Sequence, residues 1–256
     1  MDIAETPVAI LAGGLATRLG PVAGRVPKAL LEVAGRPFIA HQLARLRETG
    51  IRRVVLCVGH LGAQVEAYVG DGAAHGLAVR YSYDGRTLLG TAGALRRAEA
   101  LLGEVFWVLY GDAYLEVDYH AVLAELERRG GLGIMLVLRN ENRWDRSNVV
   151  FRGGRLVRYD KARPTPDMTH IDYGAAVLRR AALARVPPDR PCDLADVYRD
   201  LVDEGLVSGY EATWRFYEIG SPAGLAETQR YLERRASAPA APPPLPTVGE
   251  GEATVA

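Results

Sequence analysis

Several kinds of residue are scarce in this sequence, and each shortage excludes a class of protein. There are two cysteines in 256 residues, Cys57 in an apolar run and Cys192 beside a proline, without metal-ligand spacing. No apolar stretch of about 18 residues and no signal peptide is found. The 31 basic and 31 acidic residues balance, so net charge favours neither nucleic acid nor an anionic membrane as a partner. We expect a soluble, cytoplasmic protein with reduced thiols, in which any anion site is local.

Lysine is the scarcest charged residue. The 31 basic residues include only Lys28 and Lys161 as lysines, and the others are arginines. An ammonium group is a compact charge on a flexible stem, whereas a guanidinium is a planar fork, so the two are not interchangeable at an anion site. The count alone is explained equally well by a functional need for lysine at these positions and by chance in an arginine-rich sequence.

The first 130 residues alternate between strand and helix patterns. The predicted strands are Val8 to Ala12, Arg53 to Val58, Ala78 to Tyr83 and Val105 to Tyr110, and the predicted helices are Pro37 to Thr49, Leu61 to Val69, Ala92 to Leu101 and Asp118 to Arg129. This order predicts an α/β fold with a Rossmann-like mixed, mostly parallel sheet and helices on both faces. Ligands of such sheets bind beyond the carboxyl ends of the strands.

Strands dominate the rest of the folded part. The predicted strands are Gly133 to Arg139, Ser147 to Phe151, Leu156 to Asp160, Tyr173 to Leu178 and a last one near Tyr210 to Ile219, with helices at Asp193 to Glu204 and from Ser221. No linker divides them, so we expect a single domain over residues 1–235. Residues 236–256 are rich in proline and alanine without an apolar period, which predicts a disordered tail.

A glycine pair, Gly13 and Gly14, follows the first predicted strand in "ILAGGLATRLGPVAGRVPKAL". Glycines let the backbone turn sharply and bring its N–H groups close to phosphate oxygens. The spacing fits neither a Walker A loop nor G-x-G-x-x-G, which argues against a P-loop and against an NAD-dependent oxidoreductase. The pair alone would be a turn, but Thr17, Arg18 and Lys28 follow it, and together these groups have the chemistry to hold a triphosphate.

The same stretch resembles a family signature. "LAGGLATRL" followed by "VPKALLEVAGRPFI" resembles the motif of sugar-1-phosphate nucleotidyltransferases, usually L-x-G-G-x-G-T-R-L, a short loop and P-K-x-L. Ala16 departs from it, because the family commonly has glycine there. The resemblance implies the nucleotide-diphospho-sugar transferase fold, with a nucleotide-binding half over about residues 1–130 and a sugar-binding half over about 131–235.

Three further segments resemble the nucleotide and metal sites of this family. "YGD" and "FYEIGSP" imply that Asp112 and Glu218 hold Mg²⁺, a cation that prefers oxygen ligands. "LLGTAGALRRA" resembles the segment that contacts the nucleobase. The resemblance implies Arg18 and Lys28 as catalytic residues. The nucleotide-binding residues that it implies are Leu11, Ala12, Gly13, Gly14, Thr17, Gly90, Thr91, Gly93 and Gly111.

The sugar-side segments are more divergent. "YDK" resembles the family's E-K-P, "SNVVF" its Y-G-V-V, and "IDYGAAVL" its x-N-x-G element. The sugar-phosphate-binding residues implied are Asn148, Asp160, Lys161, Asp172 and Gly174. Both lysines of the chain then fall on phosphate-contacting positions, which favours the functional explanation of their retention. The five histidines have no metal spacing, and His170 is expected to face the sugar.

The resemblance implies an enzyme that transfers NMP from an NTP to a sugar 1-phosphate, giving an NDP-sugar and pyrophosphate with Mg²⁺ as cofactor. The runs "GRPFIAHQLARL", "LGTAGALRRA" and "YGDAYLEVD" look most like guanylyltransferases for D-glycero-α-D-manno-heptose 1-phosphate, which favours GTP with a heptose or hexose 1-phosphate. The alternatives are a uridylyl- or other nucleotidyltransferase for N-acetylmuramate, mannose or glucose 1-phosphate, and a non-catalytic nucleotide-sugar-binding regulatory protein. No nucleic acid or membrane partner is expected, and a homo-oligomer is one option.

Overall fold

The described part of the chain is built on one large mixed sheet. The computed structural model describes residues 1–14, 26–85, 87–188 and 190–237. The predicted loop residues Ala16, Thr17 and Arg18 lie outside these ranges, and so does the predicted tail from residue 238 onward. Within the ranges, no helix is long and apolar enough to cross a membrane.

The main sheet joins parallel and antiparallel strands. In chain order the strands are β1 Val8–Leu11, β2 Glu32–Val33, β3 Arg36–Pro37, β4 Arg53–Val58, β5 Ala78–Tyr83, β6 Val105–Tyr110, β7 Ala113–Tyr114, β8 Gly133–Arg139, β9 Val149–Arg152, β10 Arg155–Tyr159, β11 His170–Arg179, β12 Val207–Ala212 and β13 Tyr217–Glu218. The strands β6, β1, β4 and β5 are parallel neighbours in that order. Strand β11 runs antiparallel to β6 and β8, and β12 is parallel to β8.

Helices cover both faces of this sheet. They are α1 Phe38–Glu48, α2 Gly62–Val69, α3 Gly90–Arg97, α4 Tyr119–Arg129, α5 Leu194–Asp203 and α6 Pro222–Ser237. Successive strand residues point to opposite faces. Val8 and Ile10 of β1 therefore belong to the core cluster that includes residues of α1, α2 and α4, whereas Ala9 belongs to the one that includes residues of α3 and α5. The predicted α/β class, a mixed sheet covered on both faces, is confirmed.

Most predicted elements are present, but several of their boundaries differ from the structure. The strand predicted from Tyr173 begins at His170. The helix predicted from Ala92 begins at Gly90. The strand predicted over 210–219 is two strands, because the chain leaves the main sheet after Ala212 and β13 pairs with β7 instead. Helix α6 continues to Ser237, so the tail predicted from residue 236 begins no earlier than residue 238.

Candidate active site

A cavity of about 240 Å³ opens at the carboxyl ends of β1, β4 and β6. This is the edge at which parallel sheets bind ligands. It is lined by Leu11, Ala12, Gly13, Gly14, Lys28, Ala29, Cys57, Asp84, Leu88, Gly90, Thr91, Ala94, Tyr110, Gly111 and Asp112. Of the predicted nucleotide-binding residues that the structure describes, all except Gly93 line it.

Close approach of the strand ends explains two of the glycines at this edge. A Cβ on Gly111 would lie 2.7 Å from the carbonyl oxygen of Leu11, and one on Gly13 would lie 3.0 Å from the backbone nitrogen of Gly59. A Cβ on Gly14 would meet nothing within 4 Å among the described residues. A side chain at Gly111 would therefore clash with the backbone and one at Gly13 would be crowded, whereas at Gly14 no described residue excludes a side chain.

Three predicted charged groups meet at one side of the cavity. The Lys28 Nζ lies 3.0 Å from Asp112 Oδ2. A Cβ built on Gly220 would lie 2.7 Å from Glu218 Oε2, 3.4 Å from Asp112 Oδ2 and 3.5 Å from Lys28 Nζ. The structure therefore brings these three side chains around one point, although they are far apart in the sequence.

Backbone pairing brings the two carboxylates together. Strand β13 pairs antiparallel with β7, so that Glu218 is opposite Ala113, and the Ile219 N–H donates to the Asp112 carbonyl over 2.9 Å. The Glu218 carboxylate accepts hydrogen bonds from the Gly220 N–H and, over 2.6 Å, from the Ser221 hydroxyl. These bonds orient Glu218 at the start of α6.

This arrangement fits a cation that takes most of its ligands from a substrate. Among the described residues, no group of three His, Cys, Asp or Glu side chains could hold a metal ion. Mg²⁺ is commonly bound by one or two carboxylates, with waters and substrate phosphates completing its octahedral shell. Asp112 and Glu218, whose carboxylates meet around one point, supply such a pair. The Lys28 ammonium bonded to the Asp112 carboxylate is a positive charge at this position.

Lys161 lies in a second cluster, which contacts the ring of Tyr110. Its Nζ is 3.0 Å from Asp172 Oδ2 and 5.2 Å from the centre of the Tyr110 ring, a distance suited to a cation–π contact. The Tyr159 hydroxyl donates to Asp172 Oδ2 over 3.3 Å. The Lys161 side chain is 40% exposed, and its partial desolvation lowers its pKa, but the Asp172 carboxylate raises that pKa above its ordinary value. The ammonium group is therefore charged at neutral pH.

The remaining sugar-side residues divide into two groups. Asn148 Oδ1 accepts the Asp172 N–H, and Asp172 Oδ1 accepts the Gly174 N–H, each over 2.9 Å. These residues belong to the Lys161 cluster. The Asp160 carboxylate instead accepts the backbone N–H groups of residues 162 and 163 and closes its own turn. The imidazole of His170, expected to face the sugar, contacts Thr169, Glu211 and the Phe151 ring.

The glycines of the predicted nucleobase segment pack against the second half of the chain. Gly90 has φ +71°, and a Cβ there would lie 2.6 Å from the Cys192 carbonyl oxygen. That oxygen accepts the N–H groups of Ala92 and Gly93. The Thr91 hydroxyl donates to Asp193 Oδ1 over 3.0 Å and accepts the N–H of residue 194 over 2.7 Å. The segment before α5 therefore caps the start of α3.

Sequence reasoning missed several residues of this site. Tyr110 lines the same cavity as Lys28, and its ring lies 5.2 Å from Lys161 Nζ, so its place directly before Gly111 was a usable signal. Asp84 lines the cavity, accepts the Leu89 N–H over 3.3 Å, and burial raises its pKa. Only the fold could identify Asp84, because an acidic residue after a strand is common in loops.

Comparisons with known proteins identify a family and several relatives. The family model described as Nucleotidyl transferase matches residues 8–146. The chain is 40% identical over 226 residues to N-acetylmuramate alpha-1-phosphate uridylyltransferase of Neisseria meningitidis serogroup B, covering 86% of this chain and 95% of that protein. It is 29% identical to mannose-1-phosphate guanylyltransferase of Mycobacterium tuberculosis, covering 85% of this chain and 62% of that protein.

A solved structure shares the fold. HddC from Yersinia pseudotuberculosis complexed with GMP-PN superposes with a TM-score of 0.72 at 22% identity. The match covers 89% of this chain and 99% of that one. At this identity the likeness concerns the fold alone.

Proposed function

Because this chain belongs to the nucleotidyl transferase family, we propose that it joins the NMP part of an NTP to a sugar 1-phosphate and releases pyrophosphate. Its relatives are sugar-1-phosphate nucleotidyltransferases, so the chain is an enzyme of that type. The observation that carries the proposal is the pair of lysine clusters. Lys28 pairs with Asp112 at the cavity, and Lys161 pairs with Asp172 next to Tyr110, which provides one cationic position for each anionic substrate.

The proposed reaction exchanges one P–O bond for another. An oxygen of the sugar 1-phosphate attacks the α-phosphorus of the NTP, and the bond from that phosphorus to the oxygen bridging it to the β-phosphate breaks. Pyrophosphate takes the electron pair. A phosphate monoester has a second pKa of about 6, so the nucleophile is ionised at neutral pH and requires no general base. Catalysis then consists of positioning two anions in line and neutralising their charge.

Each basic residue has a separate role in this proposal. Lys28 stabilises the α-phosphoryl group, and Lys161 binds the phosphate of the sugar 1-phosphate. Arg18, which lies outside the described residues, takes the β- and γ-phosphates with Thr17. Asn148 Oδ1 accepts the backbone N–H of Asp172, and the Gly174 N–H donates to the Asp172 carboxylate, which pairs with Lys161 at the point where the second phosphate enters. Asp160 is proposed to meet the sugar from the adjoining turn.

Asp112 and Glu218 are the residues proposed to hold Mg²⁺. When bound, this cation supplies positive charge that neutralises phosphate oxygens. Lys28 is already bonded to Asp112, so its ammonium can exchange that carboxylate oxygen for a phosphate oxygen without moving to another part of the site. The Glu218 side chain is oriented before any ligand arrives, because the start of α6 donates to it.

Two nucleotides are candidates for the substrate. GTP with a heptose or hexose 1-phosphate is favoured by the sequence motifs. UTP with N-acetylmuramate 1-phosphate is favoured by the relative of that name, which is 40% identical and matched over 95% of its length. We propose a cytoplasmic enzyme; a homo-oligomer is compatible with this function.

A matrix of substrates tests the proposal. Four NTPs are each combined with the 1-phosphates of N-acetylmuramate, mannose, glucose and D-glycero-D-manno-heptose, with and without Mg²⁺, and pyrophosphate is measured. We expect release that requires Mg²⁺ and both substrates. Release with UTP and not with GTP would reject the GTP assignment and retain the reaction. Nucleotide binding without release in any combination would reject the reaction and favour a regulatory protein.

A further inference from the structure

Gln42 is a polar side chain on the buried face of α1. It lies one turn after Phe38 and one turn before Leu46, both of which are in the core, and it is 4% exposed. We propose that Gln42 is a positioning residue that fixes the turn carrying Asp112, and so sets the direction of the proposed metal-binding carboxylate. This inference rests on the proposed function. Gln42 itself would touch neither substrate nor metal.

The contacts of Gln42 enclose the Asp112 turn. Its Nε2 donates to the Tyr110 carbonyl over 3.0 Å and to the Ala113 carbonyl over 2.7 Å. These carbonyls flank Gly111 and Asp112 on both sides. A carbonyl oxygen only accepts hydrogen bonds, so the group that faces both of them must be the NH₂ and not the oxygen of the amide. Both donors of the amide are therefore used to hold this turn.

Other contacts hold the turn from different directions. The Gly111 N–H donates to the Leu11 carbonyl over 3.0 Å, which ties the turn to β1. The Ile219 N–H donates to the Asp112 carbonyl and ties it to the strand of Glu218. Gln42 adds the contact from α1. Two backbone bonds and one bidentate side chain therefore hold the Asp112 main chain, while its carboxylate extends toward Lys28.

The unpaired end of the amide argues against a role in packing alone. Gln42 Oε1 is buried and has no hydrogen-bond partner within the described ranges. Burying an unpaired acceptor is unfavourable, so methionine or leucine would fill this space better if only packing mattered. The amide is explained by its two donors, and both act on the turn that presents Asp112.

Metal affinity tests this role directly. Groups that orient metal ligands typically change metal affinity or activity by about 10- to 100-fold when they are substituted. Gln42→Met keeps the length and the apolar stem but removes both donors. Mn²⁺ is titrated by electron paramagnetic resonance into the full-length protein with the α,β-methylene analogues of UTP and GTP, which cannot react at the α-phosphorus. We expect Mn²⁺ to bind Gln42→Met at least about tenfold more weakly than the parent.

A matched control separates positioning from general loss of stability. Asn140 is another buried amide, whose Nδ2 donates to the Asp145 carbonyl and the Ser147 hydroxyl in a loop of the second half. Asn140→Leu is expected to lower the melting temperature while Mn²⁺ affinity stays within twofold of the parent. If Gln42→Met does not fold, Gln42→Asn replaces it. This variant keeps the amide but is one methylene too short to reach both carbonyls, and we expect the same weakening of Mn²⁺ binding.

The outcomes distinguish this inference from the proposed function. If the parent releases pyrophosphate and a folded Gln42 variant binds Mn²⁺ within twofold of it, with an unchanged half-saturating Mg²⁺ concentration, the positioning role is wrong. A parent that releases pyrophosphate but binds no Mn²⁺ with either analogue would also overturn it. A parent that releases none in any substrate combination rejects the proposed function instead.

Discussion

Gly90→Ala tests the contact between α3 and the segment before α5. Gly90 has φ +71°, a region that costs an L-residue about 1–2 kcal/mol. The added Cβ would also lie 2.6 Å from the Cys192 carbonyl oxygen, closer than real Cβ atoms approach. Such overpacking typically costs a further ~1–3 kcal/mol. The free energy of unfolding should therefore fall by roughly 2–5 kcal/mol.

Gly205→Ala is the matched control for this variant. Gly205 follows α5 with φ +69°, and a Cβ there meets nothing within 4 Å among the described residues. Gly205→Ala should therefore lower the free energy of unfolding only by the cost of the positive φ angle, about 1–2 kcal/mol. Alanine also stabilises both variants by making the unfolded chain less flexible. This gain cancels when the free energies of unfolding of the two variants are compared. Urea unfolding followed by circular dichroism should place Gly90→Ala about 1–3 kcal/mol below Gly205→Ala. Equal losses would show that the packing against Cys192 is not the reason for glycine.

Two further predictions concern the lysine clusters. Lys28→Ala should lower kcat by at least about tenfold and change KM for the NTP less, because the charge that Lys28 faces grows in the transition state. A kcat equal to that of the parent in steady-state kinetics would contradict the catalytic role of Lys28. Asp172→Asn leaves the burial that lowers the pKa of Lys161 but removes the carboxylate that raises it. The side chain carries its charge below its pKa and is neutral above it, so KM for the sugar 1-phosphate should begin to rise at a lower pH than in the parent. A pH profile of KM that coincides with that of the parent would refute this.

The sheet could be predicted from the sequence because its strands are short apolar runs between clear turn signals. The predicted bounds of β4, β5, β6 and β8 agree with the structure for this reason. The last strand was predicted as one because residues 207–219 have no proline or glycine pair to mark a break. Its division depends on β13 leaving the main sheet to pair with β7, a tertiary contact that local pattern does not contain.

The candidate site was predictable where a motif carries it, and not where a contact between distant segments decides it. The sequence predicted that Asp112 and Glu218 act together, and the structure brings them around one point. The local pattern does not indicate that Gly90 packs against Cys192, because the two residues are 102 positions apart in the chain. Gln42 was also missed, since one amide on an apolar helix face does not reveal which carbonyls it meets.

The path of the oxygen atoms tests the central claim most directly. The sugar 1-phosphate that supports pyrophosphate release is prepared with ¹⁸O at its non-bridging phosphate oxygens and is incubated with the matching NTP. Phosphorus NMR then locates the label in the products. Attack by the sugar phosphate on the α-phosphorus predicts ¹⁸O in the bridge between the two phosphates of the NDP-sugar and none in pyrophosphate. Label in pyrophosphate, or free NMP in place of an NDP-sugar, would contradict the account.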